Sequence, residues 1–203
     1  MKGRFITFEG IDGAGKSTHL EALATWLRGK GADVLCTREP GGTSLAEQLR
    51  ALFLSEPMDP LTEALLVFAA RRDHLRQMIL PALARGSTVL CDRFSDATFA
   101  YQGAGRGFSV QTLKQLEEWV QEGLQPDLTF WFDVAPEVAA RRRAAARNAD
   151  RMERLDDAFF ARVRSGYRIR AESYPARFVR IDAEEDIQTV TQVMIAALDT
   201  HPW

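Results

Sequence analysis

The chain has 203 residues, with 26 basic and 28 acidic side chains and a net charge of -2. That length carries one domain with a sizeable core, and the balanced charge speaks against a nucleic-acid-binding protein, which concentrates positive charge. The apolar run at the start is too short for a secretion signal and no stretch approaches a membrane span, so the expectation is a cytoplasmic protein without a membrane partner.

The elements alternate along the chain. Arg4 to Glu9 (RFITFE) is a strand candidate, and the stretch from Ser17 (STHLEALATWLRGKG) has helical spacing at Leu20, Leu23, Ala24 and Leu27. Gly29 and Gly31 end that helix as C-cap residues do. Asp33 to Arg38 is the second strand, and Leu45 to Leu54 a helix before the breaker run SEPMDP. A long helix is expected from Leu61 to about Arg85, ahead of the strand STVLCDR and a Gly-rich loop, YQGAGRG. Then come a helix near Val110 to Glu122, the strand LTFWFD, and a helix opened by Pro136 at its first position. The helix FFARVRSGYRIRAES, the strand RFVRIDA and the helix EDIQTVTQVMIAAL finish the chain. Parallel strands need crossover connections, so this alternation indicates a mainly parallel sheet with helices on both faces.

Two cysteines, Cys36 and Cys91, lie in apolar stretches and read as small buried hydrophobes in a reducing compartment. The histidines His19, His74 and His201 are scattered without neighbours at zinc-ligand spacing.

GIDGAGKS, from Gly10 to Ser17, fits the phosphate-loop pattern completely, with a strand before it and a helix after. Gly10, Ile11, Asp12, Gly13, Ala14 and Gly15 let backbone N–H groups converge on an anion, and the following helix N-terminus adds partial positive charge. Lys16 would reach the terminal phosphates, Ser17 would ligate magnesium, and Thr18 continues the ATP-binding stretch. Asp12 is an acid in a loop built for anions.

Four further stretches bear on the site. TREPGG (Thr37 to Gly42) and CDR (Cys91 to Arg93) sit at strand C-terminal ends, the edge where open parallel sheets bind ligands. There Asp92 is a second candidate magnesium ligand and Arg93 a phosphate clamp. In the third, Phe68 precedes Arg71 and Arg72 on one helix, within reach of a shared face. The fourth, RRRAAARNADRMER, has six arginines from Arg141 to Arg154. It reads either as a solvated basic face or as a lid, at about residues 141–155, that brings arginines onto a transferring phosphoryl group.

With these residues the chain resembles the thymidylate kinases over nearly its whole length. The carrying pieces are FEGIDGAGKST, TREPGGT, DRFSDATFAYQGAGRG and PDLTFWFD, in that order, then DRME before a helix. The resemblance implies a P-loop nucleoside monophosphate kinase-like three-layer α/β fold with a five-stranded parallel sheet. It implies phosphorylation of dTMP by ATP with Mg2+, and a homodimer. Carried over by position, Asp12 and Glu39 lie near the acceptor sugar and phosphate, and Arg50 and Arg93 hold the dTMP phosphate. Thr98 and Gln102 face the base, Tyr101 lies against the deoxyribose, and Arg106 is on the acceptor side. The family's Phe-x-x-x-Arg pair is displaced, with Val67 four before Arg71 and Phe68 four before Arg72; the expected pair is Phe68 stacking on thymine beside Arg71. Arg151 is the expected catalytic lid arginine, with Arg147 and Arg143 next as ATP ligands. On sequence alone, another nucleoside monophosphate or small-acceptor kinase stays open, as does a P-loop ATPase or switch; adjacent strand-end acids or switch residues would mark the latter.

Overall fold

A computed structural model describes residues 3–144, 152 and 155–203. Five strands form one parallel sheet in the order β2-β3-β1-β4-β5. They are β1 (Arg4–Glu9), β2 (Val34–Arg38), β3 (Thr88–Asp92), β4 (Leu128–Asp133) and β5 (Phe178–Asp182).

The side-chain period of two divides each strand between the faces. In β1, Ile6 and Phe8 join Leu90, Leu128 and Phe130 in one cluster with α1 (Lys16–Gly29) and α9 (Ile187–Thr200), through Leu20, Leu23, Met194 and Leu198. Phe5 faces the other way and packs with Val89, Cys91, Leu75 and Ile79. Each such side chain taken fully out of water contributes about 1.5–3 kcal/mol. The inner strands β1 and β4 are buried almost throughout, as a strand covered on both faces must be.

The connection from β1 to β2 passes β3 on one side, and that from β3 to β4 passes β1 on the other. The order therefore reverses between β1 and β3, the place where such sheets open a crevice at their C-terminal edge. The phosphate loop after β1, Glu39–Gly42 after β2 and Arg93 after β3 all meet there.

Two helical stretches differ from the sequence expectation. The long helix is α3 (Pro60–His74), a wide π turn at Leu75–Ile79 and α4 (Leu80–Ala84). Pro81 has no N–H and its ring crowds the preceding turn; the wide turn, closed by Leu80 N–H to the Leu75 carbonyl, accommodates it. Asp59 caps α3 by accepting from Leu61 and Thr62 N–H, ahead of Pro60 at the first helical position. The expected Gly-rich loop is helical instead: α5 (Ser95–Thr98) runs into a π-helical segment, Phe99–Gly105. The cause is tertiary. Helix α8 (Asp157–Ser173) lies so close that a Cβ on Gly105 would meet Phe159 at 2.6 Å. Here glycine serves close packing, which local propensity does not register. Helices α2 (Ser44–Ser55), α6 (Val110–Gln121) and α7 (Pro136–Ala144) complete the described elements.

Candidate active site

The phosphate loop curls as its motif requires. Ala14 N–H donates to the Ile11 carbonyl at 3.2 Å, and Gly13 and Gly15 take φ of 88° and 85°. Any Cβ at Gly13 would strike the Ala139 carbonyl of α7 at 2.4 Å, so only glycine lets that helix close on the loop. Lys16 is folded back, its Nζ donating to the Gly10 and Ile11 carbonyls at 3.1 and 3.2 Å. Burial lowers its pKa, with Arg93 adding to the fall and Asp92, Asp12 and Glu9 opposing it.

A cleft of about 1180 Å³ surrounds this loop, lined by Gly13, Gly15, Lys16, Ser17, Thr18, Arg142 and Arg143, among others. Arg143 donates to the Asp12 carbonyl at 2.7 Å and lies 4.2 Å over the Phe160 ring, so one expected ATP ligand is held at the loop. Arg147 and Arg151 fall outside the described residues. Ser17 Oγ donates to Asp92 Oδ2 at 3.3 Å, and the other Asp92 oxygen is buried with no hydrogen-bond partner. An unpartnered carboxylate oxygen beside a hydroxyl suits a divalent cation. Among the described residues no three His, Cys, Asp or Glu side chains form a metal cage. Ser17 and Asp92 supply oxygen donors of the kind magnesium takes, which fills the rest of its shell with water and phosphate oxygens.

A second cleft, about 600 Å³, adjoins the first and shares Asp12, Glu39, Arg50 and Arg93 with it. Its other walls include Phe53, Val67, Arg71, Thr98, Tyr101, Gln102 and Met152. Arg93 sits at the junction. Its Nη2 donates to Asp12 Oδ1 at 2.7 Å and to the Tyr101 hydroxyl at 3.2 Å, and its Nη1 to the Tyr167 hydroxyl at 3.0 Å. A φ of 71°, rare outside glycine, aims this side chain, and its own N–H is pinned to the Phe8 carbonyl. Tyr101 donates to Asp12 Oδ2 at 3.0 Å, so both Asp12 oxygens are engaged. Burial alone would raise the Asp12 carboxyl, but Arg93 and then Lys16 hold it well below the usual carboxylate range. Behind them lies Glu9, fully buried, which accepts from Phe94 N–H at 2.7 Å. Burial pushes its pKa up to about 8, Asp96 adding to the rise and Arg93 opposing it.

Arg71 is fully buried and clamped: Nε donates to Glu39 at 2.6 Å and Nη2 to Thr98 at 2.9 Å. Its Nη1 has no partner. Gln102 donates to Glu63 at 2.8 Å, and Arg106 reaches the same carboxylate at 3.4 Å and the Met152 sulfur at 3.7 Å. Arg50 donates to the Pro40 carbonyl at 2.8 Å.

The expected Phe68 wall is corrected. Phe68 is buried among Ala64, Phe99, Leu113 and Leu116, facing α6, and Val67 lines the cleft in its place. Residues four apart on a helix share a face, so Glu63, Val67 and Arg71 lie in one row, and Phe68 is turned by about 100° from it. Phe68 still touches Arg71, whose guanidinium lies 4.9 Å over its ring. Arg72 turns away to the end of α6, donating to the Val120 carbonyl and Glu122.

Sequence reading missed Glu63, Val67, His74 and Tyr167. The first three stand on the Arg71 face of α3 and were accessible through its spacing. Tyr167 meets Arg93 across 74 residues of chain, and nothing local announces it.

The thymidylate kinase family model matches residues 8–194. A thymidylate kinase of Albidiferax ferrireducens is 56% identical over 210 residues, covering 100% of this chain and 98% of that protein. Another, of Paracidovorax citrulli, is 58% identical over 205 residues, covering 97% and 93%. The crystal structure of thymidylate kinase from Ehrlichia chaffeensis superposes with a TM-score of 0.81 at 38% identity, covering 98% of this chain and 100% of that one. Two joined clefts on a P-loop sheet and full-length similarity agree: this chain belongs to the thymidylate kinase family.

Proposed function

We propose that this protein transfers the γ-phosphoryl group of ATP to dTMP, giving dTDP and ADP and feeding dTTP synthesis. The observation that carries the reading is the pair of clefts that meet at Asp12, Glu39, Arg50 and Arg93. One is built for the polyphosphate. The other has an apolar wall and hydrogen-bonding groups suited to a flat base, and the two join where the phosphates would meet.

An oxygen of the dTMP phosphate attacks the γ-phosphorus, and the bond to the ADP oxygen breaks. Little covalent work falls to the protein, so catalysis is positioning plus neutralisation of charge. Lys16 leaves its two loop carbonyls to follow the terminal phosphates. Arg93 and Arg50 orient the acceptor phosphate between the clefts. Asp12 holds Arg93 and Tyr101 and keeps lone pairs free for a sugar hydroxyl, a group that a basic residue does not serve as acceptor. Arg71 Nη1, Thr98 and Gln102 bond the base edge, with Val67 and Phe53 on the apolar side. Ser17 and Asp92 would hold Mg2+, which supplies neutralisation of the phosphate oxygens. Arg151 would supply the lid charge to the transferring group, with Arg147 and Arg143 as ATP ligands, in one domain with a lid at about residues 141–155.

The enzyme acts in the cytoplasm as a homodimer. Among the described residues no helix is long and apolar enough to cross a membrane. Leu61 and Leu65 on α3 and Val110 and Trp119 on α6 are exposed, Trp119 by 72%, and a second copy would cover them. Leu65→Glu should turn a dimer seen by light scattering into a monomer.

A coupled ADP-release assay across dTMP, dUMP, UMP, CMP, AMP and GMP tests the activity. Clear preference for dTMP is the expected result; an equal rate on all acceptors, or release of inorganic phosphate without one, sinks the assignment.

A further inference from the structure

A run of buried hydrogen bonds lies behind the acceptor cleft and ends in the cleft itself. Thr37 Oγ1 and His74 Nε2 are 2.7 Å apart, and His74 Nδ1 is 3.1 Å from Glu39 Oε1. Glu39 Oε2 accepts from Arg71 Nε at 2.6 Å, and Arg71 Nη2 donates to Thr98 at 2.9 Å. His74, Glu39, Arg71 and Thr98 are all at most 3% exposed. Every nitrogen in the run is engaged except Arg71 Nη1, which is buried without a partner in a residue that lines the cleft.

We propose that His74 is a positioning residue for acceptor recognition: it fixes Glu39, and through Glu39 fixes the direction in which Arg71 presents its free N–H donor. A carboxylate only accepts, so the proton of the Glu39 contact belongs to His74 Nδ1. Glu39 has two oxygens and two buried donors, one on each, and cannot turn without abandoning one of them. Arg71 is likewise held at two of its three nitrogens. Removal of His74 leaves one Glu39 oxygen without its buried donor, and the carboxylate then rotates toward other donors, carrying Arg71 with it. The donor cleft meets this run only at Glu39, and the phosphate loop takes no part in it, so the donor nucleotide keeps its loop contacts.

The inference rests on the acceptor reading of the cleft. Its test is steady-state kinetics of His74→Leu and His74→Asn, with a heat-denaturation curve of each to establish folding. His74→Leu should raise the KM for dTMP by between about tenfold and a hundredfold, the scale of a misplaced binding group. The KM for ATP should stay within about twofold. His74→Asn, whose amide can donate to Glu39, should recover most of the loss. Equal KM values for dTMP in His74→Leu and the natural protein, or equal rises for both substrates, overturn the role. Because the leucine variant can fail to fold, ring-nitrogen NMR of the natural protein gives a second reading. The chain has three histidines, and His19→Asn and His201→Asn identify the remaining signal. A proton on Nδ1 of His74 is expected, and the tautomer protonated only on Nε2 overturns the inference. A natural protein indifferent to the acceptor base would sink the acceptor reading and this inference together. A selective one with unperturbed variants sinks the inference alone.

Discussion

The two clefts are built by different means. The donor cleft is centred on one continuous segment, Asp12 to Thr18, whose curl is set by its own glycines and whose backbone N–H groups are of the kind that hold anions. The acceptor cleft is assembled from α2, α3, α5 and the π segment, and its polar side chains are cross-linked before any substrate arrives. A backbone site needs only the right local conformation. A side-chain site needs partners that hold each group still, because a buried polar group without one is costly. In the proposed reaction, rigidity on the acceptor side serves discrimination between bases, and the donor side needs only a triphosphate tail.

Arg151→Ala should lower turnover by about 10³-fold or more while dTMP binding, measured by calorimetry, changes little. A loss below about tenfold would move the role to another arginine of the same stretch. Asp12 belongs to both clefts, its backbone to one and its carboxylate to the other. Asp12→Asn should reduce kcat/KM for dTMP by about tenfold to a hundredfold, the worth of a hydrogen bond to a charged group, with the KM for ATP nearly unchanged. Untouched kinetics would show that the carboxylate has no acceptor role.

Phe68→Leu separates the cleft wall from the packing behind it. Stability should fall by about 1 kcal/mol on denaturant unfolding, with the KM for dTMP within about twofold, since Val67 forms the wall. A large rise in that KM would restore the ring to the base. A comparable effect on stability, read through pH, belongs to Glu9, whose pKa rises from 4.5 to about 8 on folding. Between those values the native state holds the extra proton, so this contribution to stability is present at low pH and is lost as pH rises through about 8. Glu9→Gln does not titrate. The Tm of the natural protein relative to the variant should drop by about 3 °C or more from about pH 5 to about pH 9. Parallel curves would mean that Glu9 is already ionised at the lower pH.

Much of this was legible beforehand, for reasons tied to particular residues. The strands, the phosphate loop and the Asp92-Arg93 strand end follow from short-range pattern, and the resemblance carried Tyr101, Gln102 and Glu39 to positions that do line the cleft. The Phe68 error came from pairing by residue type when the row Glu63, Val67, Arg71 was there to be counted. The YQGAGRG segment was misread because Gly105 answers to Phe159 and Val163 of a distant helix.

The alternation of strands and helices and the anion-binding loop are written in short-range pattern, because each depends on neighbours within a few residues. Tertiary contacts turned Val67 and Arg71 of α3 to the cleft, made Arg93 common to Asp12, Tyr101 and Tyr167, and set His74 behind Glu39. Apart from Arg93 and Tyr101, which stand 8 positions apart, those contacts join residues 35 to 81 positions apart. Their geometry exists only once the strand order has brought three loops to one edge of the sheet.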